Sequence, residues 1–168
     1  MAIPVIDPDL LAYRLGLSGV GAGRLALKKV DAAIDAGESV IVETTLSGRS
    51  YHRRICRARA AGFRTELHYI GVDFPEISMA RVALRVAQGG HDVPQEDIRR
   101  RFARSLQNLP AMIMACDSAI LYDNVQNGEI AGYVELVRFS SGNPELLKEE
   151  RLLPEWVHAV LRRMRAGK

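Results

Sequence analysis

Short runs of apolar residues alternate along the chain with longer segments whose apolar positions recur at helical spacing. Most of these runs end near Asp, Gly or Pro, the residues that favour turns and helix ends. Because strands that alternate with helices form βαβ units, the pattern predicts an α/β fold with a mostly parallel sheet. The predicted strands cover residues 3–6, 40–42, 65–72, 118–122 and 129–139.

Six segments have helical periodicity, and glycine or proline interrupts the pattern at two places. Residues 16–23 are rich in glycine, so we expect a flexible loop between the first two helices. Pro110 is expected to bend or break the long fifth helix, because proline lacks the N–H that a helix needs. The predicted helices begin near residue 8 and then cover 24–36, 51–61, 75–88, 95–114 and 153–165.

Polar side chains follow the second predicted strand directly, because Glu43, Thr44 and Thr45 come after the β-branched run 40–42. A run that is apolar throughout is typical of a central strand covered on both faces. Open α/β sheets bind ligands at the carboxyl ends of their strands, so these three residues are candidates for a binding site. Alternatively, they could cap the start of the following helix.

Acids also follow the first and third predicted strands. Asp7 and Asp9 come after residues 3–6, and Asp73 follows residues 65–72. We expect these acids and Glu43 to line one edge of the sheet. A carboxylate there can accept a proton from a hydroxyl, position a sugar hydroxyl or hold magnesium through water. The alternative for each acid is a turn or an N-cap.

Arginines surround a glycine-rich segment in the second half of the chain, residues 89–94. One guanidinium group can donate two parallel hydrogen bonds to the oxygens of a phosphate. A segment that carries such groups and closes over the site would also exclude water from a phosphoryl group. The region from Gly89 to Arg104 is therefore interpreted as a lid, although a solvated helix face would give the same charge pattern. His91 is interpreted as structural. The arginines concerned are Arg81, Arg85, Arg99, Arg100, Arg101 and Arg104.

The composition is that of one soluble globular domain over residues 1–168, with 48% hydrophobic residues and a net charge of +3. No apolar run approaches the roughly 20 residues of a membrane helix, and no signal-peptide pattern is present, so we expect a cytoplasmic protein without membrane contact. Cys56 and Cys116 are isolated and predict free thiols without a zinc site. The arginines near residue 163 lack interleaved aromatics, which argues against nucleic-acid binding.

Taken together, the order of these segments resembles the zeta toxin family of P-loop kinases, in particular its small bacterial chromosomal members. The resemblance covers nearly the whole chain. Its segments are Val5-Ile-Asp-Pro-Asp9, Gly23-Arg-Leu-Ala26, Gly37-Glu-Ser-Val-Ile-Val-Glu-Thr-Thr-Leu-Ser-Gly48, Arg81-Val-Ala-Leu-Arg85, Gly89-Gly-His-Asp-Val-Pro94 with its downstream arginines, and Leu121-Tyr-Asp-Asn124.

The resemblance implies a three-layer, P-loop-kinase-like fold with helices on both faces of a mostly parallel sheet. It implies a kinase that uses ATP and Mg²⁺ to phosphorylate a small acceptor, UDP-N-acetylglucosamine in the best-known toxins, and an antitoxin protein as partner. By motif, Asp9 matches the acceptor-activating aspartate, and Arg85, or Arg81 in its place, matches the arginine that faces the phosphates. Glu43 and Thr45 match the strand-end residues that contact the acceptor, and one arginine of residues 99–104 matches the lid. Further candidates for acceptor binding are Asp7, Arg24 and Thr44, and the candidates for the phosphates and lid are Arg81, Arg100, Arg101 and Arg104.

The sequence departs from the family upstream of residues 5–9. The strand, the phosphate loop ending in Gly-Lys-Ser/Thr and the first helix are absent, so the fold is expected to be N-terminally truncated, with unpaired strand edges and without tight ATP binding. Lys28 and Lys29 lie in a predicted helix and do not replace the loop's lysine. A start codon assigned too far downstream is favoured, because the acceptor and lid residues look intact. A degraded gene and a non-catalytic interaction protein are the alternatives.

Overall fold

The chain folds into alternating strands and helices, which confirms the predicted α/β class. The structure is a computed structural model that describes residues 2–90, 92–127 and 130–167. Its helices are α1 (Pro8–Leu15), α2 (Gly19–Ala36), α3 (Ser50–Ala60), α4 (Pro75–Ala87), α5 (Gln95–Ala115) and α6 (Glu155–Ala166). Its strands are β1 (Val5–Ile6), β2 (Ile41–Val42), β3 (Glu66–Gly71), β4 (Ser118–Asn127), β5 (Ile130–Ser140) and β6 (Asn143–Leu146).

The strands form two sheets. In the first, β1 and β2 are parallel, with Val5 opposite Ile41 and Ile6 opposite Val42. In the second, the strand order is β3-β4-β5-β6. The pairing of β3 with β4 is parallel, and the two later pairings are antiparallel. The βαβ pattern therefore gives the parallel pairs, and the C-terminal strands extend the second sheet as hairpins.

Four strands have one edge without a strand partner in the described part of the chain. There β1 and β2 pair only with each other, β3 pairs only with β4, and β6 pairs only with β5. These free edges agree with the unpaired edges expected above. The prediction that the second strand is covered on both faces is wrong, because Ile41 is 50% exposed. Helix α2 packs against the face that carries Ile6 and Val42.

The larger hydrophobic core lies between the second sheet and helices α5 and α6. Its burial supplies most of the driving force for folding. Leu46, from the loop after β2, joins this core, and Tyr51 of α3 contacts both this core and the smaller one beneath α2. No helix among the described residues combines the length and apolar character needed to span a membrane. The most deeply buried side chains include Leu109, Ile113, Leu121, Val137, Phe139, Val157 and Val160.

The second helix begins earlier than predicted, at Gly19, so most of the glycine-rich stretch is helical and not a loop. Ser18 caps its first turn. Ala26 is fully buried in the cluster that Leu11 of α1 joins. Packing of small residues against a neighbour overrides the low helix propensity of glycine. Arg24 lies within the second turn of this helix, and its side chain is exposed.

Helix α5 continues through Pro110, so the predicted break is wrong. Proline has no N–H, and the carbonyl four residues earlier, that of Leu106, therefore loses its helical donor. Arg163 of α6 supplies a replacement, because its Nη1 donates to the Leu106 carbonyl at 3.1 Å. The other two arginines near residue 163 form ion pairs with glutamates. The C-terminal arginines thus support the packing of α6.

A polar network connects the start of β3 with the end of α5. The Thr65 N–H and hydroxyl both donate to Oδ2 of Asp117, at 2.8 and 2.9 Å. Nε of Arg59 lies 3.0 Å from the other carboxylate oxygen. The hydrogen bonds from Thr65, and then the charge of Arg59, hold the pKa of Asp117 below its ordinary value. The ionised carboxylate therefore stabilises the folded state.

Asp117→Asn is expected to lower the free energy of unfolding at neutral pH and to have less effect in acid. A carboxyl with a lowered folded-state pKa stabilises the fold above its unfolded pKa, and this contribution is lost as the pH falls through the folded pKa. The difference between wild type and variant should therefore narrow below about pH 4. Urea denaturation at about pH 7, 5 and 3 measures it. A difference that is constant across these conditions would contradict the assignment.

Candidate functional site

The carboxyl ends of β1 and β2 lie side by side. The Glu43 N–H donates to the Ile6 carbonyl at 3.0 Å, which places Glu43 level with Asp7 in the parallel register. Helix α1 begins directly after β1, so Asp9 lies in its first turn at the same end of the sheet. The structure therefore brings together the acids that follow the first two predicted strands.

The two aspartates at this edge differ in what they bind. Asp7 is the N-cap of α1, and its Oδ1 accepts hydrogen bonds from the N–H groups of Asp9 at 2.8 Å and Leu10 at 3.2 Å. Asp9 is exposed, and its carboxylate has no hydrogen-bond or ion-pair partner among the residues described. The capping interpretation thus applies to Asp7, and Asp9 is available to a ligand.

Leu46 anchors the loop that follows β2. Its side chain is 2% exposed in the larger core, and its carbonyl accepts a hydrogen bond from the Asn108 amide of α5 at 2.9 Å. Leu46 also has a positive φ of 55°. A non-glycine residue persists in this conformation only where its surroundings hold it there. The loop that carries Glu43 is therefore fixed to the helix layer.

The hydroxyl groups of this loop are partly used within it. Thr44 Oγ1 accepts a hydrogen bond from the Leu46 N–H at 3.1 Å, so Thr44 stabilises the turn. Thr45 Oγ1 lies 2.9 Å from the Ser47 hydroxyl, and both Thr45 and Glu43 are exposed. Glu43 has no side-chain partner within the described ranges. Of the three residues predicted here, Glu43 and Thr45 are therefore the better placed to contact a ligand.

A second group of charges lies at the carboxyl end of β3 and beside it on β4. Gly71 pairs with Asp123, and Asp73 follows β3 after one residue. Burial, and then the charge of Asp73, raises the pKa of Asp123, whereas the charge of Arg81 opposes the rise. Asp123 is not among the residues selected from the sequence. The signal that could have found it is an acid at the end of a predicted strand, as for Glu43.

Helix α4 carries the two arginines predicted to face phosphate. Arg81 is half-buried and Arg85 is exposed. The Gly90 N–H donates to the Arg85 carbonyl at 2.9 Å, and a Cβ on Gly90 would lie 2.6 Å from Cγ of Arg85. The close approach of this segment to α4 therefore requires glycine. His91 lies outside the described residues.

The arginines at the start of α5 fall into two groups. Arg99 pairs with Glu76 of α4 at 2.9 Å, and Arg100 pairs with an aspartate of its own helix at 2.7 Å. Arg101 and Arg104 are exposed, and neither forms an ion pair within the part of the chain that the structure describes. Arg99 therefore supports the packing of α5 on α4 and Arg100 pairs within α5, whereas Arg101 and Arg104 are available to an anion.

Two features are expected of a magnesium ATP site, a metal-binding cluster and a phosphate-loop motif. The described residues contain no group of three or more His, Cys, Asp or Glu side chains that could hold a metal ion. The sequence has no Gly-Lys-Ser or Gly-Lys-Thr, and Lys28 and Lys29 lie exposed within α2. The described residues thus include exposed carboxylates and arginines, and the 168-residue sequence contains no motif of the loop that cradles donor phosphates.

Comparisons with known proteins agree with the resemblance. An uncharacterized protein of Haemophilus influenzae is 35% identical over 103 residues, which is 58% of this chain and 74% of the relative. No solved structure matches the chain. The zeta toxin family matches residues 17–131, a span that includes Glu43 and the arginines of α4 and α5 and begins after Asp9. Because this match covers more than half of the chain, the protein belongs to the zeta toxin family.

Proposed function

We propose that the chain acts in a zeta-toxin-like, ATP-dependent kinase that phosphorylates a hydroxyl group of a small molecule. The observation that carries the proposal is the pair of exposed carboxylates, Asp9 and Glu43, at the adjoining ends of β1 and β2. Both lie where open α/β sheets bind ligands. The kinase-like function of the family supports the reaction class. Without a phosphate loop in its 168 residues, the chain supplies the acceptor side of this reaction.

Each polar residue of the site has a role in this proposal. Asp9 is the general base, and its carboxylate takes the proton of the acceptor hydroxyl as that oxygen attacks phosphorus. Glu43 and Thr45 orient the acceptor through hydrogen bonds, which keeps the attacking oxygen in line. Arg85, with Arg101 or Arg104, balances the negative charge of the transferring group.

The same proposal includes the acceptor class and the partners. A nucleotide sugar such as UDP-N-acetylglucosamine suits the site, because its ring hydroxyls can donate to carboxylates and its diphosphate can bind arginine. ATP and Mg²⁺ are the expected donor and metal, an antitoxin protein is the expected partner, and the cytoplasm is the expected location. The family resemblance supports these finer assignments.

A phosphoryl-transfer assay tests the proposed function. The chain is incubated with magnesium ATP and UDP-N-acetylglucosamine, and mass spectrometry detects an acceptor that has gained one phosphoryl group. We expect slow transfer by these 168 residues. Faster transfer is expected from a longer chain if the genomic reading frame encodes Gly-x-x-x-x-Gly-Lys-Ser/Thr ahead of Met1. If neither chain binds the nucleotide sugar or yields product, the proposed acceptor is wrong.

Magnesium ATP is expected to bind this chain weakly, with a dissociation constant well above the micromolar range. Backbone N–H groups and the lysine of a phosphate loop supply most of the contacts to the β- and γ-phosphates of ATP in P-loop kinases, and exposed arginines do not reproduce that cradle. Isothermal titration calorimetry of the 168-residue protein measures the affinity. Micromolar binding would refute this part of the proposal.

A second candidate function is a non-catalytic interaction protein that uses a sheet edge. The free edges of β2 and β3 favour it, because an unpaired strand edge can add a strand from another chain. Ile41 and Ile70 on these strands are 50% and 47% exposed. Upstream genomic DNA separates the two candidates. An in-frame phosphate loop favours the kinase, and a stop codon close to Met1 favours the interaction protein.

A further inference from the structure

Asn108 joins the long helix α5 to the loop that follows β2. Its side-chain amide is half-buried and donates to the Leu46 carbonyl at 2.9 Å. The Leu46 N–H is also bound, to Thr44 Oγ1 at 3.1 Å, and the Leu46 side chain is buried in the larger core. The N–H, the carbonyl and the side chain of Leu46 are therefore all held in place.

The hydrogen bond to the carbonyl matters because Leu46 has an unfavourable backbone conformation. Its φ of 55° lies in the left-handed region, which a residue with a Cβ adopts only where its surroundings compensate the cost. The buried side chain fixes the position of Leu46, whereas the orientation of its peptide group depends on the bond from Asn108. Without that bond, we expect Leu46 to relax toward an ordinary conformation and to redirect the exposed Glu43 and Thr45.

The side of α5 that holds this loop also carries the two arginines that are available to an anion. Arg104 lies one helical turn and Arg101 two turns before Asn108, so the three residues share one side of the helix. Arg99 lies on the opposite side, where it pairs with Glu76 of α4. One side of α5 therefore combines the support of the loop with groups that can bind phosphate.

We propose that Asn108 is a positioning residue that, through the Leu46 carbonyl, holds Glu43 and Thr45 in the orientation that binds the acceptor. The inference rests on the proposed function, in which these two residues orient the acceptor and Arg101 or Arg104 binds phosphate. Asn108 contacts no ligand in this arrangement. It holds the loop against the helix that carries the arginines, so that one ligand can reach both the loop and a guanidinium.

Two ligands distinguish positioning from a merely structural hydrogen bond. Inorganic triphosphate has oxygens for the arginines but no sugar hydroxyl for Glu43 or Thr45, whereas UDP-N-acetylglucosamine has both kinds of group. A bond that orients the loop affects only the ligand that contacts the loop. A bond that only stabilises the fold affects both ligands alike, or neither of them.

Calorimetric titration of the 168-residue protein with each ligand tests the proposal. Asn108→Ala should weaken UDP-N-acetylglucosamine binding about fivefold and leave triphosphate binding unchanged. Arg104→Gln should weaken triphosphate binding, because it removes a guanidinium from this side of α5. Gln107→Ala is the matched control on the same helix and should change neither affinity, because the Gln107 side chain is exposed and has no hydrogen-bond partner among the described residues.

Three calorimetric results would overturn the proposal. The first is an equal loss of affinity for both ligands in Asn108→Ala, and the second is an affinity for the nucleotide sugar that this variant leaves unchanged. The third is triphosphate binding that is absent from the wild type or insensitive to Arg104→Gln.

Hydrogen exchange of the backbone amides provides a measurement without any ligand. The N–H groups of residues 44–47 should exchange faster in Asn108→Ala than in wild type or Gln107→Ala, whereas those of residues 109–115 in α5 should be unchanged. Unchanged exchange in the loop would overturn the proposal. If the wild type does not bind the nucleotide sugar but the loop responds in this way, the proposed acceptor is rejected and the positioning of the loop by Asn108 is retained.

Discussion

Gly71→Ala is expected to lower the free energy of unfolding by about 3 kcal/mol. Gly71 ends β3 against the indole of Trp156, and a Cβ there would lie 2.5 Å from Cε2 and 2.7 Å from Cη2. Trp156 is 3% exposed within the larger core, so its ring has no space into which to move without disturbing its neighbours. Urea denaturation measures the loss as a lower midpoint at an unchanged slope.

Gly132→Ala in β5 is the matched control, because no atom of the residues that the structure describes lies within 4 Å of the position its Cβ would occupy. We expect it to change stability by less than about 0.5 kcal/mol. Trp156→Leu tests the cause, since it removes the ring atoms that the new methyl group at position 71 would overlap. The double variant should lose less stability than the sum of the two single variants. Equal effects of the two glycine variants, or strictly additive losses, would contradict the steric explanation.

Most helices and strands were predictable because local sequence and tertiary packing agree on them. The turn after residue 6, for example, carries Asp7 and Pro8, and the structure uses them as the N-cap and first residue of α1. The errors arise where packing overrides local preference. The glycines at the start of α2 are helical because small residues there pack against α1, and Pro110 is tolerated because Arg163 satisfies the freed carbonyl.

The shortest strand of the second sheet, β6, was not predictable from the sequence for a different reason. β6 has exposed residues throughout, so no alternation of apolar and polar positions marks it. Backbone hydrogen bonds to β5 define it instead, with Arg138 opposite Glu145 and Phe139 opposite Pro144. Strand pairing of this kind depends on the tertiary contact between two segments, and the periodicity of one segment does not predict that contact.

The location of the candidate site was predictable from the sequence, but the role of each residue in it was not. The sequence places acids and hydroxyls at strand ends, yet only the structure shows that Asp7 and Thr44 are occupied with backbone N–H groups. Asp7, Thr44 and Asp9 are all polar residues that follow a short apolar run. The sequence therefore does not distinguish the two that bind backbone N–H groups from Asp9. The position of Asp123 opposite Gly71, at the end of β3, is likewise a matter of strand register that the sequence alone does not show.

Asp9→Asn is expected to reduce the rate of phosphoryl transfer by a factor of about 10²–10⁴ and to leave acceptor affinity nearly unchanged. Asparagine keeps the shape of the side chain and its carbonyl oxygen, but it does not take up the proton of the acceptor hydroxyl. Stability should be retained, because Asp7 caps α1 and the Asp9 side chain is exposed. Initial rates with magnesium ATP and UDP-N-acetylglucosamine measure the effect, in the longer chain if the reading frame encodes a phosphate loop.

Two further variants show whether the loss reflects proton transfer. Glu38→Gln removes an exposed carboxylate outside the site, and its rate should stay near wild type. Glu43→Gln should also lower turnover sharply, but through poorer orientation of the acceptor, so its KM should rise as well. A loss in Glu38→Gln as large as that in Asp9→Asn would assign the effect to net charge. Near-normal rates in both Asp9→Asn and Glu43→Gln would show that the acceptor binds elsewhere, because these two carboxylates are the ones that the ends of β1 and β2 leave available to it.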